Sequence, residues 1–397
     1  MCGRFLDKYL ITVRDKYTNR TLGDFEPYEL GLSQRTADVV IFKDGDKAVA
    51  YNWKGEKIIE SDEHYETFQE VVEPISRGHI FIAPTQSESD YYLLSDQVKI
   101  FGKDGLVISG GGFGTYILLD EGTNKSPFKI GGCTRVLIKD LRINGNRTKN
   151  SAGHGLEIDG TTEKTSVVWI ERVTIEGCKQ YGVHAYGNKA GGIHIVRCQI
   201  QNNEGGGIYF KDVHSNCVIS KCWIGNSVED GNPFASGSGA RLENCRSIII
   251  EGNDIFGNTY GINIIDSFNI RILNGNHINL NKDYGIYIHP SSSSVYDILI
   301  EGNVIYSNGQ RLIDNPSATY MAGILIDSGT YITIRGNHVL NALGWFTDPY
   351  IDDSQFYGIR EINTADYNII EGNITRNNKT ANIETVGTNT ISSNNIT

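Results

Sequence analysis

Along most of the chain, apolar and other residues alternate in short runs that open on a glycine. From about residue 152 the phrase reads HGLEID at Gly155, YGVHAY at Gly182, GGIYFK at Gly207 and SGARLE at Gly239. It continues as YGINII at Gly261, YGIYIH at Gly285, AGILID at Gly323 and YGIREI at Gly358. The glycines lie 27, 25, 32, 22, 24, 38 and 35 residues apart. A second phrase sits between them: IIIEGNDIFGN, IRILNGNHINLN, ILIEGNVIYSN, ITIRGNHVLN and NIIEGNITRNN. Period-two alternation marks strands with one buried face. A shortest repeat of 22 to 24 residues, with three short β-runs and turn residues between, matches one coil of a solenoid. Such a coil cannot bury its apolar side alone and must stack on its neighbours. Leucine-rich repeats have a similar period, but their Leu spacing is absent here.

The expected fold is therefore all-β, a right-handed parallel β-helix with a small N-terminal hairpin and helix as a cap. Asn253, Asn276, Asn303, Asn337 and Asn373 fall at one turn position in successive coils. There their amides can hydrogen-bond from coil to coil across the ~4.8 Å strand spacing. Asn also tolerates the left-handed backbone of a sharp corner. Cys198 and Cys222 occupy the same slot earlier, which makes them buried turn-fillers. Towards the N-terminus, Val39–Phe42 and Ala48–Trp53 alternate around Asp44-Gly45, a hairpin signal. A helix is expected from about Ser61 to Glu73, stopped by Pro74, with Tyr65, Phe68, Val71 and Val72 on the face that covers the open coil. His79–Ala83 and Val98–Gly102 are the expected first coil strands. The chain divides into residues 1–36, which receive no placement, the cap at 37–74 and the β-helix at 75–397.

Alternation also sorts the glycine-led strands by face. The first and third residues after each glycine are apolar, Leu156 and Ile158 through Ile324 and Ile326, and belong inside. The second and fourth then face out. One outward column reads Glu157, His184, Tyr209, Arg241, Asn263, Tyr287, Leu325 and Arg360; the other reads Asp159, Tyr186, Lys211, Glu243, Ile265, His289, Asp327 and Ile362. A merely solvated face favours Thr, Ser, Lys and Asn, whereas this one is rich in His, Tyr and Arg, as a working groove would be. The longest intervals place their extra residues, Ser227–Ser238, Gly309–Met321 and Ala342–Phe356, at one corner beside that face. The last of these offers Trp345, Phe346 and Tyr350, aromatic surfaces suited to sugar rings.

Composition narrows the partners. The 397 residues carry 36 basic against 47 acidic side chains, a net charge of -11, which disfavours a nucleic-acid partner held through phosphates. No apolar run is long enough for a membrane-spanning helix. The seven cysteines form no CxxC and no metal-spaced cluster with His, and read as buried thiols. The N-terminal MCGRFLDKYLITVRDK is too charged for the apolar part of a signal peptide, so the protein either stays inside or is exported by other means. SGGGFG at Ser109–Gly114 imitates a Gly-rich nucleotide loop, but no helix follows, so it reads as a coil turn.

These coil phrases, over roughly residues 75–397, resemble the pectin-lyase-like superfamily of right-handed β-helix, carbohydrate-active proteins. The stretch VVIFKDGDKAVAYNWKGEKI is similar to the start of archaeal β-helix surface proteins. Membership implies a polysaccharide-binding groove over the glycine-led sheet and an extracellular, cell-surface or virion-surface setting. It leaves open lyase, epimerase, hydrolase and binding-only roles. Tyr284-Gly285-Ile286-Tyr287-Ile288-His289 is similar to the Tyr-Gly-Phe-Asp-Pro-His motif of mannuronan C5-epimerases. Tyr287 stands in place of the catalytic Asp, and Ile288 in place of Pro. Some lyases of the superfamily use a calcium ion. Asp348, Asp352 and Asp353 are the nearest approach to such a site here, and they read as a solvated loop; no metal or cofactor is expected.

Three mechanisms follow. In uronate chemistry, β-elimination or C5 epimerisation, Arg241 and Lys211 hold the sugar carboxylate while His184 and Tyr209 move protons, and these cations form a local positive patch for a polyanion. Glu157, Asp159, Tyr186, Glu243, Asn263, Tyr287, His289 and Trp345 line the binding groove. In inverting hydrolysis, Glu157 and Asp159, about 7 Å apart on one strand, form the carboxyl pair. In the third, the groove binds glycan without chemistry, as an adhesin or tailspike module does.

Overall fold

The computed structural model describes residues 11–14, 21–25, 37–85, 87, 89–226, 235–310, 320–341 and 355–397. From Gly78 onward the chain winds into coils whose strands pair in parallel with the equivalent strand of the next coil. Each coil has three faces. One is the glycine-led sheet, eleven strands from Val98–Phe101 to Ala381–Glu384. The second carries the longest strands, such as Thr134–Asn144 and Thr165–Glu176, and the third carries short ones, such as Asp254–Phe256 and His277–Asn279.

The core is a set of one-residue columns. On the second face Ile108, Ile138, Ile170, Ile195, Ile219, Ile250, Ile272, Ile300, Ile334 and Ile370 stand in register, all buried. β-Branched side chains stack well at this spacing because each fills the pleat of the strand below. On the glycine-led sheet the first and third positions, Leu156 and Ile158 through Ile324 and Ile326, are fully buried, as alternation requires. The repeating glycine has a steric cause. A Cβ on Gly239 would collide with Ile255 Cγ2 of the short strand and with the Gly261 carbonyl, and Gly261 meets Ile278 and Gly285 in the same way. The glycine lets the two faces close on each other at that corner.

The predicted Asn ladder is present and longer than the sequence phrase. The Cys198 amide donates to Cys222 Sγ (3.4 Å) and the Cys222 amide to Asn253 Oδ1 (2.9 Å). From there each Nδ2 donates to the next Oδ1, through Asn276, Asn303, Asn337, Asn373 and Asn395, at 2.7 to 3.1 Å. A second, unforeseen ladder runs through Asn258, Asn281, Asn308, Gln355 and Asn378 at the next corner. The expected left-handed Asn is corrected: that conformation falls on the residue before it, Gly252, Gly275 and Gly302 at φ 63°, 77° and 68°. Asn is then free to turn its amide inward along the stack.

The cap forms as expected, with one addition. Val39–Asp44 and Lys47–Asn52 make an antiparallel hairpin, Lys57–Ser61 adds a third strand, and Val39–Ile41 pairs in parallel with the first coil strand, Gly78–Ile82. The helix His64–Val72 buries Phe68, Val71 and Val72, with Phe68 edge-on to Tyr92 at 5.5 Å, and so closes the N-terminal end of the core. Ile11–Arg14 and Thr21–Phe25 pair antiparallel with each other. Ser109–Gly114 makes a turn between two coil strands, with a single 3-10 turn at Gly112–Gly114. Cys133, Cys178, Cys198, Cys217, Cys222 and Cys245 are buried free thiols. Among the described residues no helix is long and apolar enough to cross a membrane.

Asn303 accepts from Asn276 and donates to Asn337 and to two carbonyls inside the stack. Asn303→Leu strands several buried polar groups at once and is expected to cost roughly 3 kcal/mol in denaturant unfolding. Asn395→Ala, at the partly exposed end of the ladder, is expected to cost about 1 kcal/mol. Equal losses would show that the ladder does not stabilise through burial.

Candidate functional site

Parallel pairing fixes the register of the outward columns. Glu157, His184, Tyr209, Arg241, Asn263 and Tyr287 are direct neighbours in one column, and Asp159, Tyr186, Lys211, Glu243, Ile265 and His289 in the other. The face is not uniformly open. Asn263 and Ile265 are each only 5% exposed and separate two clusters, which corrects the expectation that Asn263 lines the groove; Leu325, at 2%, lies beyond the second cluster.

The first cluster centres on His184. Its imidazole stacks on Tyr209 (4.8 Å between ring centres, 13°) and on Tyr186 (4.8 Å, 29°), and His154 leans on it at 4.4 Å. Among the described residues both ring nitrogens are buried without a hydrogen-bond partner. Burial, with Lys211 adding repulsion, pushes the His184 pKa down to about 4, so the ring is neutral at pH 7. His154 falls further, to about 3, by burial and the neighbouring His184. Tyr209 donates its hydroxyl to Glu243 Oε2 (2.7 Å). Burial and that carboxylate hold the phenol above its usual pKa, so it keeps its proton.

Charge in the cluster is matched rather than surplus. Glu243 takes Arg241 (2.6 Å) and Lys211 (2.9 Å), while Asp159 takes Lys129 (3.0 Å), whose ammonium also reaches Tyr186 Oη (2.9 Å). The expected positive patch is thereby corrected. Burial alone would raise the Glu243 carboxyl, but hydrogen bonds from Tyr209, Lys211 and Arg241 outweigh it and hold the group below the usual range. Asp159 is likewise depressed, because Thr161 and Lys129 outweigh its burial. Arg241 lies over the Tyr209 ring at 4.8 Å and keeps its buried Nε unpartnered. Glu157 accepts from Gln97 Nε2 (3.1 Å).

The second cluster is aromatic. Tyr287 stacks on His289 (4.2 Å) and leans on Tyr284 (4.9 Å) and Tyr260 (5.5 Å), with its hydroxyl 3.5 Å from Asp327. Burial, with Asp327 adding to it, raises the Tyr287 phenol to about 12, and burial lowers the His289 imidazole. Trp345, Phe346, Tyr350, Asp348, Asp352 and Asp353 lie outside the described residues, as does most of the three insertions.

Sequence reasoning missed His154, Tyr181, Lys129 and Gln97. His154 and Tyr181 occupy the position just before the repeating glycine, which the recurrent Tyr-Gly already signalled, and their rings pack against His184 and Tyr209. Lys129 belongs to Phe128–Gly131, a coil strand with no leading glycine, which in register places it beside Glu157. Among the described residues, His154, Glu157 and His184 bring possible metal-ligand atoms within 4.8 Å of one another. His154 Nδ1, however, accepts the Tyr181 amide (3.2 Å), which puts the proton on Nε2 and leaves a hydrogen-bond donor rather than a metal lone pair. The trio fits a hydrogen-bonded ligand better than a cation.

No curated protein matches the sequence. Among solved structures, the A-module of an Azotobacter vinelandii mannuronan C-5 epimerase is 18% identical, with a TM-score of 0.55 over 84% of this chain and 93% of that one. The enzymatically active domain of bacteriophage CBA120 tailspike protein 2 is 14% identical, with a TM-score of 0.58 over 86% of this chain and 54% of that one. An alginate lyase from a Paenibacillus species is 15% identical, with a TM-score of 0.50 over 84% of this chain and 97% of that one. At these identities the likeness establishes the fold. The family described as the right handed beta helix region matches residues 122–274 and 164–339, more than half of the chain, and the protein belongs to it.

Proposed function

We propose that the glycine-led face binds an acidic polysaccharide and that the His184 cluster cleaves it by β-elimination at a uronate residue. The observation that carries this reading is His184 itself: a neutral imidazole, both nitrogens without a partner, stacked on a protonated phenol. In this reading His184 takes the C5 proton, the C4–O bond breaks, and Tyr209 gives its proton to the departing oxygen. Solvent then returns the proton from His184 to Tyr209. The free Nε–H of Arg241 faces the sugar carboxylate, which also competes with Glu243 for Lys211. A bound carboxylate raises the His184 pKa from its low resting value and makes the ring a stronger base as the proton leaves carbon.

Two considerations favour elimination over its relatives. His184 and Tyr209 are neighbours on one side of one sheet, so both reach the same face of a sugar lying across it. Epimerisation needs the proton returned from the opposite face. Inverting hydrolysis needs a protonated carboxyl group beside an ionised one; Asp159 and Glu243 are both held ionised by their cations, so the acid role would fall to Glu157 alone. Two of the structural neighbours are a mannuronan C-5 epimerase and an alginate lyase, names that denote acid-sugar polymers. The Tyr260, Tyr284 and Tyr287 rings extend an aromatic surface along the same face, suited to further sugar units.

Tyr209→Phe and His184→Ala are each expected to lower the formation of unsaturated uronate, followed by ultraviolet absorbance on a panel of polyuronates, by about 10²- to 10⁴-fold. New reducing ends without absorbance would instead mean hydrolysis, and glycan binding without product would mean a binding-only groove. The pH dependence follows from the depressed His184. The base form is present above about pH 4 and is lost as pH falls through that value, so kcat/KM should drop there on the acid side. An acid limb near the ordinary histidine value would show that His184 is not the base.

A further inference from the structure

A second charged cluster sits at the corner that follows the glycine-led strands. Lys189, His214 and Arg246 each come three residues after a groove residue, namely Tyr186, Lys211 and Glu243, and Lys164 occupies the same corner one coil earlier. The four line one cavity of about 450 Å³ together with Gly191 and Gly192. The backbone at this corner requires both glycines. Gly192 takes φ 61°, and a Cβ on Gly191 would strike the His214 carbonyl.

No carboxylate among the described residues lines this cavity. Among the described residues Lys164 and Arg246 make no ion pair, and Lys189 Nζ donates only to the Thr162 carbonyl (2.6 Å). Asp212, close to His214 in sequence, accepts the Asn244 amide at 2.6 Å. His214 Nδ1 is buried with no hydrogen-bond partner among the described residues. In the His184 cluster, by contrast, Lys129, Lys211 and Arg241 all contact a carboxylate. In a chain of net charge -11, three unmatched cations around one cavity create a local potential opposite to the whole. Ammonium and guanidinium groups with an imidazole, all on residues that line one cavity, suit an oxygen-bearing anion.

We propose that this corner cavity binds an oxyanion, and that the oxyanion in use is an acidic group of the polysaccharide where it leaves the groove. The second half rests on the function proposed above; the first half does not. Inorganic sulfate, titrated calorimetrically into the whole protein, is the direct probe. Binding should weaken with added sodium chloride. It should fall about tenfold or more in the double variant Lys164→Gln/Arg246→Gln, whose two sites are exposed, with the circular dichroism unchanged. His184→Ala should leave it untouched. No sulfate binding, or binding that the double variant does not alter, would overturn the site.

A uronate oligosaccharide and its carboxyl-reduced neutral counterpart then identify the source. Loss of affinity in the double variant for the acidic form alone supports the glycan. Unchanged oligouronate affinity with sulfate binding lost overturns the glycan source and assigns a free inorganic anion. Full eliminative activity in His184→Ala, with sulfate binding intact, would remove the proposed chemistry and leave the anion site standing.

Discussion

Register between stacked coils is the constraint on which everything else in this protein depends. Each strand lies ~4.8 Å from its neighbour and pairs with it residue for residue, so a choice made once in the repeat is made in every coil. Isoleucine on the second face becomes a column of ten buried side chains. Asn at one turn becomes a chain of amides in which each hydrogen-bonds the next. The same arithmetic brings Glu157, His184, Tyr209 and Arg241, scattered over 85 residues of sequence, into one line. A one-residue slip would turn that line into the core.

This regularity explains how much was legible from sequence. The solenoid, the inward positions, the two outward columns, the ladder Asn residues and the capping helix all follow from alternation and period, because a repeat prints the same physical requirement many times. What escaped is what occurs once, or what depends on partners that local pattern does not encode. Lys129 has no leading glycine to flag it, and His154 stands just before the repeating glycine, outside the two columns considered. The positive patch inferred from Lys211 and Arg241 is offset once Glu243 is seen to take both and Glu157 to stand in the same column. Charge balance is a property of neighbours across coils, and counting one column at a time overlooks it. The corner geometry was misassigned for a related reason. Asn and the glycine before it recur together, and only the backbone angles show that the glycine turns while the Asn bonds.

The site itself combines two opposed tendencies. Its cations are satisfied by carboxylates, which keeps a half-buried charged cluster stable without a ligand. Its imidazole is left unsatisfied at both nitrogens, which costs free energy unless something arrives to use them. Burial lowers the His184 pKa, raises that of Tyr209, and so separates a neutral base from a neutral acid at adjacent positions of one column. A substrate carboxylate entering among Arg241, Lys211 and Glu243 would shift that balance towards proton transfer. The corner cavity of Lys164, Lys189, His214 and Arg246 shows the opposite pattern, cations without counter-charges, and so invites an anion rather than a reaction.

The central claim is removal of a proton from a sugar carbon by His184. It is tested most directly with a polyuronate labelled with deuterium at C5 and followed by nuclear magnetic resonance. Loss of the label to solvent in step with the appearance of the C4–C5 double bond, and slower turnover than with unlabelled substrate, is the predicted result. Chain cleavage that leaves the C5 deuterium in place, or no reaction while the polymer binds, would contradict it.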